Sequence, residues 1–319
     1  MASYLITGCA GFIGSHLTEK LLEQGNNVLG IDNFDGFYSR QIKEKNLSEA
    51  LKSQNFTFHE LDLKNAEALS KIDQPIDIVI HLAAKAGVLP SLKDPIAYIN
   101  DNIVATQNLL NFCKEKGISK FVFASSSSIY GNNKTIPFNE TDAVDQPIST
   151  YAASKKACEL LNYTAHHLYN TDIINLRFFT VFGPRQRPDL AIHKFIKLID
   201  EDKEIAMYGD GSTGRDYTFV YDTVQGIIGA CQYILNNSPV YEIVNLGNNQ
   251  PVKLSTLIQT IEKVMNKKVK IKQMPMQPGD VDITFANIEK AKKLFGYSPS
   301  TSLEEGISHF VKWYNEQKA

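Results

Sequence analysis

The chain of 319 residues has little cysteine and no pronounced excess of charge of either sign. Its four cysteines are scattered, and no two of them stand at the spacing of a metal site or of a redox motif. The formal net charge is −2, so the protein lacks the basic field that attracts nucleic acid or an anionic membrane surface. We therefore expect a protein of a reducing compartment that binds neither a metal nor nucleic acid.

The sequence also lacks a long uninterrupted hydrophobic run. The apolar stretch at 77–89 is broken by His81 and Lys85 and is too short to span a bilayer. The first residues lead directly into strand-like sequence, without the charged region and apolar core of a signal peptide. We expect a cytoplasmic protein without a membrane partner.

Apolar, β-rich runs alternate with helical patterns over the first 178 residues. Strands are predicted at 3–7, 28–32, 56–62, 76–82, 120–124 and 173–178, and helices at 13–24, 95–116 and 151–169. The strand runs are almost continuously apolar, as in parallel sheets that are buried on both faces. The pattern predicts an α/β fold with a doubly wound parallel sheet of the Rossmann type.

The pattern changes after residue 180, where Gly183 and Pro184 interrupt the chain. Further helices are predicted near 190–202, 222–235 and 254–265. We therefore expect a nucleotide-binding domain at 1–178 and a smaller, mainly substrate-binding cap at 179–319, with parts of 214–245 returning to the first domain.

A glycine-rich turn follows the first predicted strand and opens the first predicted helix. Glycines there permit a tight turn and close approach of the backbone to a pyrophosphate, which the N-terminus of the helix attracts. Asp32 ends the second strand, where a carboxylate accepts both ribose hydroxyls of NAD and repels the 2′-phosphate of NADP. The pattern predicts NAD as the cofactor. The predicted residues of the turn are Gly8, Gly11, Phe12, Ile13 and Gly14.

The ends of the next two strands extend this cofactor site. Polar sequence after the third strand would hold the adenine edge, and small residues after the fourth strand would let a dinucleotide lie against the backbone. The predicted residues here are Asn33, Asp62, Leu63, Leu82, Ala83 and Ala84.

Tyr151 and Lys155 stand four residues apart, so they share one face of a predicted helix. A neighbouring cation favours the phenolate and lowers the pKa of a tyrosine, as does the charge of an oxidised nicotinamide ring. The serines at 125–128 follow a buried strand and emerge at the carboxyl end of the sheet, where open α/β sheets bind ligands. We predict Tyr151 as a base that acts on an alcohol.

From Gly8 to Gly296 the chain resembles the extended short-chain dehydrogenases/reductases, and among them the nucleotide-sugar 4-epimerases. The resemblance implies that Tyr151 removes the proton of the sugar 4-hydroxyl while NAD takes the hydride from C4. The 4-keto sugar then rotates and receives the hydride on its other face. The resemblance assigns catalytic roles to Ser126, Tyr151 and Lys155, and NAD is regenerated in each turnover.

Related sugar dehydratases carry Asp-Glu where Ser127 and Ser128 stand, and related UDP-glucuronate decarboxylases commonly carry Glu in place of Ser128. This chain offers hydroxyls at both positions. The difference favours epimerisation without elimination. The serines at 126–128 could also hydrogen-bond a C6 carboxylate.

The segments 178–191 and 209–219 are similar to those of UDP-glucuronate 4-epimerases, so UDP-glucuronate is the expected substrate. The resemblance implies that Arg215 meets the diphosphate, since guanidinium suits bidentate phosphate contacts. It also implies that Asp280 and Gln277 hold the UDP portion. The predicted substrate-binding residues are Ser126, Ser127, Ser128, Thr180, Arg185, Arg215, Gln277 and Asp280.

The chain departs from those uronate epimerases at Leu89, where they typically carry Arg. Lys85 or Arg185 would have to replace that cation, so UDP-N-acetylglucosamine or UDP-glucose is an alternative substrate. UDP-glucuronate decarboxylation and a non-catalytic NAD-binding regulator are further alternatives. The resemblance also implies a homodimer, formed through helices near 102–116 and 151–169.

Overall fold

A seven-stranded parallel sheet forms the centre of the computed structural model, which describes residues 1–276 and 281–318. The strands of these residues are β1 (Ser3–Thr7), β2 (Asn27–Asp32), β3 (Phe56–Glu60), β4 (Ile78–His81), β5 (Lys120–Ser126), β6 (Asp172–Phe178), β7 (Thr180–Phe182), β8 (Ile205–Tyr208), β9 (Gly214–Phe219), β10 (Tyr241–Leu246), β11 (Pro251–Lys253) and β12 (Ile271–Met274). The central sheet has the order β3-β2-β1-β4-β5-β6-β10. The predicted α/β fold of the Rossmann type is therefore confirmed.

Helices cover both faces of this sheet. They are α1 (Phe12–Glu23), α2 (Arg40–Leu47), α3 (Ala66–Ser70), α4 (Val88–Lys93), α5 (Pro95–Tyr98), α6 (Ala105–Lys116), α7 (Thr150–Tyr169), α8 (Ala191–Asp200), α9 (Val220–Asn236), α10 (Leu254–Met265), α11 (Glu289–Phe295) and α12 (Leu303–Glu316). Among the described residues, no helix combines the length and the apolar character needed to cross a membrane.

Successive side chains of the central strands enter two different cores. Along β1, Tyr4 and Ile6 belong to the core beneath α1 and α9, whereas Leu5 belongs to the core beneath α6 and α7. The same alternation occurs in β4, where Ile80 and Val79 lie in opposite cores. Because both faces of the sheet are buried here, β1 and β4 carry apolar side chains at consecutive positions rather than at every second one.

The second part of the chain builds smaller sheets beside the first. One sheet has the order β11-β9-β7 and another pairs β12 with β8. A third core lies between these strands and the helices α8, α10 and α12. By contrast, β10 pairs in parallel with β6, and α9 packs against β5 and β6, so these elements of the second half lie with the central sheet.

The predicted helix at 95–116 is interrupted by a π-helical turn, Ile99–Val104, between α5 and α6. The turn carries Asn102, whose Nδ2 donates to the Lys85 carbonyl at 3.0 Å and to the Ser154 hydroxyl at 2.9 Å. Its Oδ1 accepts the Lys85 backbone N–H at 2.8 Å. Asn102 thereby ties the loop after β4 to α7. Helical periodicity does not show such a local widening, since the apolar face continues on both sides of it.

Candidate active site

A cavity of about 800 Å³ opens at the carboxyl ends of the parallel strands, where the sheet order changes direction between β1 and β4. Its wall consists of the glycine turn before α1, the loop after β5, the start of α7, and parts of β7, α8 and β9. Both its size and its position are those of small-molecule sites in open α/β sheets. The cavity therefore lies between the two parts of the chain.

The glycine turn lies against the end of β4 with no room for side chains. Gly8 has a φ of +73°, and a Cβ there would stand 2.8 Å from the backbone nitrogen of Ala83. A Cβ on Gly14 would stand 2.1 Å from the carbonyl oxygen of Gly8. Gly11 precedes the first turn of α1, and Gly11, Phe12 and Ile13 also line the cavity. The turn thus presents bare backbone and a helix N-terminus, which together form an anion site.

Asp32 lies at the end of β2 and lines the cavity. Its carboxylate accepts the backbone N–H of Ala10 at 3.2 Å and that of Phe34 at 2.9 Å. Burial raises the pKa of Asp32, and the neighbouring Lys43 ammonium, 3.7 Å from Oδ1, acts in the opposite direction. Sequence reasoning missed Lys43, because its place in α2 shows no spacing that points back to β2.

The other predicted cofactor residues line the same wall of the cavity. Asn33 donates through Nδ2 to the carboxylate of Asp62 at 3.1 Å, which joins the ends of β2 and β3. The backbone N–H of Ala83 donates to the hydroxyl of Thr7 at 3.2 Å. The structure brings all six of them to the cavity: Asn33, Asp62, Leu63, Leu82, Ala83 and Ala84.

Tyr151 lies in the first turn of α7, which Ser149 caps by accepting the backbone N–H of Ala152 at 3.1 Å. Its phenol lines the cavity together with Ser126, which ends β5. Burial raises the pKa of Tyr151, whereas a hydrogen bond with the Ser126 hydroxyl and the charge of Arg187 lower it. The structure therefore brings the predicted pair Tyr151 and Ser126 together.

Lys155 lies one turn further along α7, behind the cavity wall, and is 3% exposed. Its ammonium donates to the carbonyl of Ala124 at 2.7 Å and stands 4.8 Å from the ring centre of Phe123. Burial lowers the pKa of Lys155 to about 8. Arg187, which sequence reasoning did not name as a neighbour of Tyr151, also acts to lower the pKa of the phenol, against the larger effect of burial.

The serine loop after β5 presents hydroxyls to the cavity. Ser126 donates to the Ser128 hydroxyl at 3.1 Å and accepts the Ser128 backbone N–H at 3.2 Å. Ser127 and Thr180 line the cavity nearby. The predicted hydroxyl cluster is thus formed from β5, the loop after it and β7.

Arg185 lies outside the cavity wall that the described residues form, so its predicted contact with the substrate stays a prediction. Its Nη2 lies 2.9 Å from Oε1 of Glu19 on α1. Arg187, by contrast, lines the cavity. Its guanidinium carbon lies 4.8 Å from the ring centre of Phe37. Its Nε and Nη2 donate to the carboxylate of Asp189 at 3.0 and 2.8 Å. Arg185 has a φ of +65°, and the chain turns back there. The side chain of Arg185 therefore lies against α1, whereas that of Arg187 lies in the cavity wall.

The remaining substrate predictions concern the far end of the cavity. Arg215 of β9 lines it and donates through Nη1 to the Gly214 carbonyl at 2.8 Å. Gln277 and Asp280 lie outside the described residues.

Leu89, which stands where uronate epimerases typically carry Arg, also lines the cavity. Its side chain is 43% exposed. Lys85, a predicted replacement, lies 3.3 Å from Asp101 and 3.7 Å from Asp35, so two carboxylates compensate its charge.

Comparison with known proteins gives matches over almost the whole chain. A sequence model of the family described as GDP-mannose 4,6 dehydratase matches residues 5–310. A UDP-glucuronate 4-epimerase of Thermodesulfobacterium geofontis is 44% identical over 319 residues, which cover 99% of this chain and 97% of the relative.

Two solved structures extend the comparison to the fold. A UDP-glucuronic acid 4-epimerase from Bacillus cereus in complex with UDP-glucuronic acid and NAD has a TM-score of 0.93 at 36% identity and covers 99% of both chains. A UDP-N-acetylglucosamine 4-epimerase from Methanobrevibacter ruminantium M1 in complex with UDP-N-acetylmuramic acid has a TM-score of 0.90 at 32% identity and also covers 99% of both chains. On sequence and fold together, the chain belongs to the extended short-chain dehydrogenase/reductase family of NAD-dependent epimerases and dehydratases.

Proposed function

We propose that this NAD-dependent UDP-sugar 4-epimerase acts on UDP-glucuronate and interconverts it with UDP-galacturonate. The observation that carries the proposal is the position of Arg187 in the wall of the cavity that Tyr151 also lines. A cation at the reacting end of the site matches a sugar that carries a carboxylate there. The relatives from Thermodesulfobacterium geofontis and Bacillus cereus, both UDP-glucuronate 4-epimerases, support the same substrate.

The residues of the first half of the cavity fit NAD. Gly8 and Gly14 let the turn fold tightly against the end of β4, so that its backbone faces the cavity where a pyrophosphate would lie, and Asp32 stands where the adenine ribose would lie. When bound, NAD supplies the redox chemistry by accepting a hydride from C4 of the sugar and returning it. The Asp32 carboxylate would disfavour the 2′-phosphate of NADP.

Tyr151 is the acid–base group in this proposal. As a phenolate it takes the proton of the sugar 4-hydroxyl, and as a phenol it returns that proton to the opposite epimer. Ser126 stands beside the phenol in the cavity wall, and its hydroxyl acts to lower the pKa of Tyr151. Lys155, fixed on the carbonyl of Ala124, supports the end of β5 beside the base.

Arg187 and the hydroxyl cluster would bind the C6 carboxylate. Asp189 engages only Nε and Nη2 of Arg187, so Nη1 is not used in this ion pair. Hydroxyls from Ser127, Ser128 and Thr180 stand in the same wall. A charge-assisted hydrogen bond from the guanidinium contributes about 1.5–3 kcal/mol.

The same hydroxyls explain why the carboxylate would be retained. Oxidation at C4 makes the sugar a β-keto acid, which loses CO₂ readily because the resulting carbanion is stabilised as an enolate. Ser127 and Ser128 hold a carboxylate by hydrogen bonds without offering an acid to the ring. We therefore expect little UDP-pentose among the products.

One observation favours a neutral substrate instead, either UDP-N-acetylglucosamine or UDP-glucose. Leu89 gives the cavity an apolar side chain at the position of the family arginine, and it is 43% exposed. The second solved structure, which is named as a UDP-N-acetylglucosamine 4-epimerase, supports this alternative.

Incubation of the purified protein with UDP-glucuronate, UDP-glucose and UDP-N-acetylglucosamine, read by chromatography, tests the proposal. We expect UDP-glucuronate to have the highest kcat/KM and to yield UDP-galacturonate. Faster turnover of either neutral sugar would contradict the proposal and would mean that Leu89, rather than Arg187, indicates the substrate. UDP-pentose as the main product would assign a decarboxylase.

We also propose a homodimer formed through α6 and α7 with the π-helical turn. These elements expose apolar side chains that a monomer would leave in water: Val104, Leu160, Tyr163 and Leu168 are 41%, 57%, 54% and 57% exposed. Large exposed apolar patches are typical of protein interfaces.

A further inference from the structure

The turn that carries Arg187 into the cavity has a strained backbone. Arg185 has a φ of +65°, a left-handed conformation that costs free energy for residues other than glycine. The turn is closed by a hydrogen bond from the backbone N–H of Gln186 to the carbonyl of Gly183 at 3.1 Å. Such a conformation persists only where surrounding contacts stabilise it.

Two of these contacts come from α1. Nη2 of Arg185 lies 2.9 Å from Oε1 of Glu19, and the side chains are only 19% and 23% exposed. Nη1 of Arg185 and Oε1 of Glu19 are both buried, and neither has a hydrogen-bond partner within 1–276 and 281–318. The contact is therefore an ion pair, and the guanidinium depends on Glu19 for charge compensation. The ring of His16 makes a second contact through Nε2 with the carbonyl of Pro184 at 2.9 Å.

We propose that Glu19 and Arg185 are a positioning pair for Arg187. The pair holds the strained turn against α1, and the reversal at Arg185 then points Arg187 to the opposite side, into the cavity beside Tyr151. Without the Glu19 carboxylate, the half-buried Arg185 guanidinium has an uncompensated charge and its strained conformation is no longer favoured. The inference rests on the proposed role of Arg187 at the sugar.

Glu19→Gln tests the pair because it removes the charge and keeps the size of the side chain. We expect kcat for the preferred UDP-sugar to fall on the order of ten-fold, since small displacements of a positioned group have effects of this size or larger. We also expect the acidic limb of the kcat profile to move to higher pH, because a displaced Arg187 no longer lowers the pKa of Tyr151. Glu23→Gln is the matched control, since Glu23 lies on the same helix, is 64% exposed and pairs only with Lys20 among its neighbours in α1.

A double-mutant cycle with Arg187→Met separates positioning from general stability. If Glu19 acts through Arg187, Glu19→Gln produces no further loss of kcat and no further shift of the pH profile in the Arg187→Met protein. Arg185→Lys, which keeps the positive charge, should retain more activity than Arg185→Met. Independent, multiplicative losses would overturn the proposal. So would a lower unfolding temperature of Glu19→Gln with unchanged kcat and pH profile.

The cycle also distinguishes this inference from the proposed substrate. The kcat values of the cycle are measured on whichever UDP-sugar the wild type turns over fastest. If that sugar is neutral, the uronate proposal is refuted, but the coupling between Glu19 and Arg187 can still be measured. Should Glu19→Gln fail to fold, Glu19→Asp keeps the charge and retracts it by one methylene. We then expect a smaller effect of the same sign, and no coupling with Arg187→Met would refute the pair.

Discussion

Arg187 and Tyr151 line the same cavity from different parts of the chain; burial raises the pKa of the tyrosine phenol, and the positive charge of the arginine opposes that rise. The arginine belongs to the turn before α8 and the tyrosine to the first turn of α7. The proposed base, Tyr151, and the cation of Arg187 therefore share the end of the cavity where the sugar would react. One residue could thereby contribute both to substrate choice and to the ionisation of the base.

Replacement of Arg187 by Met should change both the pH dependence and the substrate preference. The base acts as a phenolate, and loss of the neighbouring positive charge raises the pKa of Tyr151, so the acidic limb of kcat moves to higher pH. The ratio of kcat/KM for UDP-glucuronate to that for UDP-glucose should fall roughly ten- to hundred-fold, as expected for a lost charge-assisted hydrogen bond. Lys197→Met, on the exposed side of α8, is the control. An unchanged ratio would remove Arg187 from carboxylate binding.

Tyr151→Phe should abolish most turnover without affecting the fold, because it deletes only the phenolic oxygen. General-base catalysis contributes about 10²–10⁴-fold, and we expect a loss of kcat of that size. Circular dichroism and the content of bound NAD should match those of the wild type. Activity within a few-fold of the wild type would mean that another group is the base.

Asp32 should make the protein select NAD. Protein that is purified and then denatured should release NAD, and Asp32→Ser should lower the affinity ratio of NAD to NADP by at least about ten-fold, since it removes hydrogen bonds to a charged group. Titration of cofactor-free protein with both dinucleotides measures the ratio. Release of NADP from the wild type would contradict the role of Asp32.

Gly14→Ala should prevent cofactor binding and destabilise the protein. The added Cβ would stand 2.1 Å from the Gly8 carbonyl oxygen, and this atom is backbone that cannot move without opening the turn. We expect loss of bound NAD and a lower unfolding temperature by calorimetry. Gly36→Ala is the matched control, because a Cβ at Gly36 has no heavy atom within 4 Å. Normal NAD content in Gly14→Ala would show that the turn tolerates a side chain.

Leu160→Glu should convert a dimer into a monomer. It introduces a charge into the exposed apolar side of α7, where burial in an interface would leave the carboxylate without water. Leu51→Glu is the control, because Leu51 and Leu160 are equally exposed, at 57%, and Leu51 lies outside α6 and α7. Light scattering after size-exclusion chromatography measures the mass. A monomeric wild type would contradict the homodimer.

The amino-acid sequence was sufficient to predict six strands of the central sheet, the glycine turn, and the common helix of Tyr151 and Lys155. Almost continuous apolar runs of strand length are typical of strands buried on both faces of a sheet, as in β1, β4 and β5. The contacts of Gly8 and Gly14 follow from the strand–turn–helix order, and the common face of Tyr151 and Lys155 follows from helical spacing. These features depend on residues close together in the chain, so local patterns contain them.

The tertiary structure alone decided which cations stand in the cavity. The backbone reversal at Arg185 exchanges the directions of two nearby arginines, and whether each finds a carboxylate or the cavity depends on where α1 and α7 pack. Lys43 reaches Asp32 for the same reason, from a helix whose own periodicity does not indicate it. Charge placement of this kind depends on contacts between elements far apart in sequence and on a single φ angle, and neither is recorded in the spacing of residues along the chain.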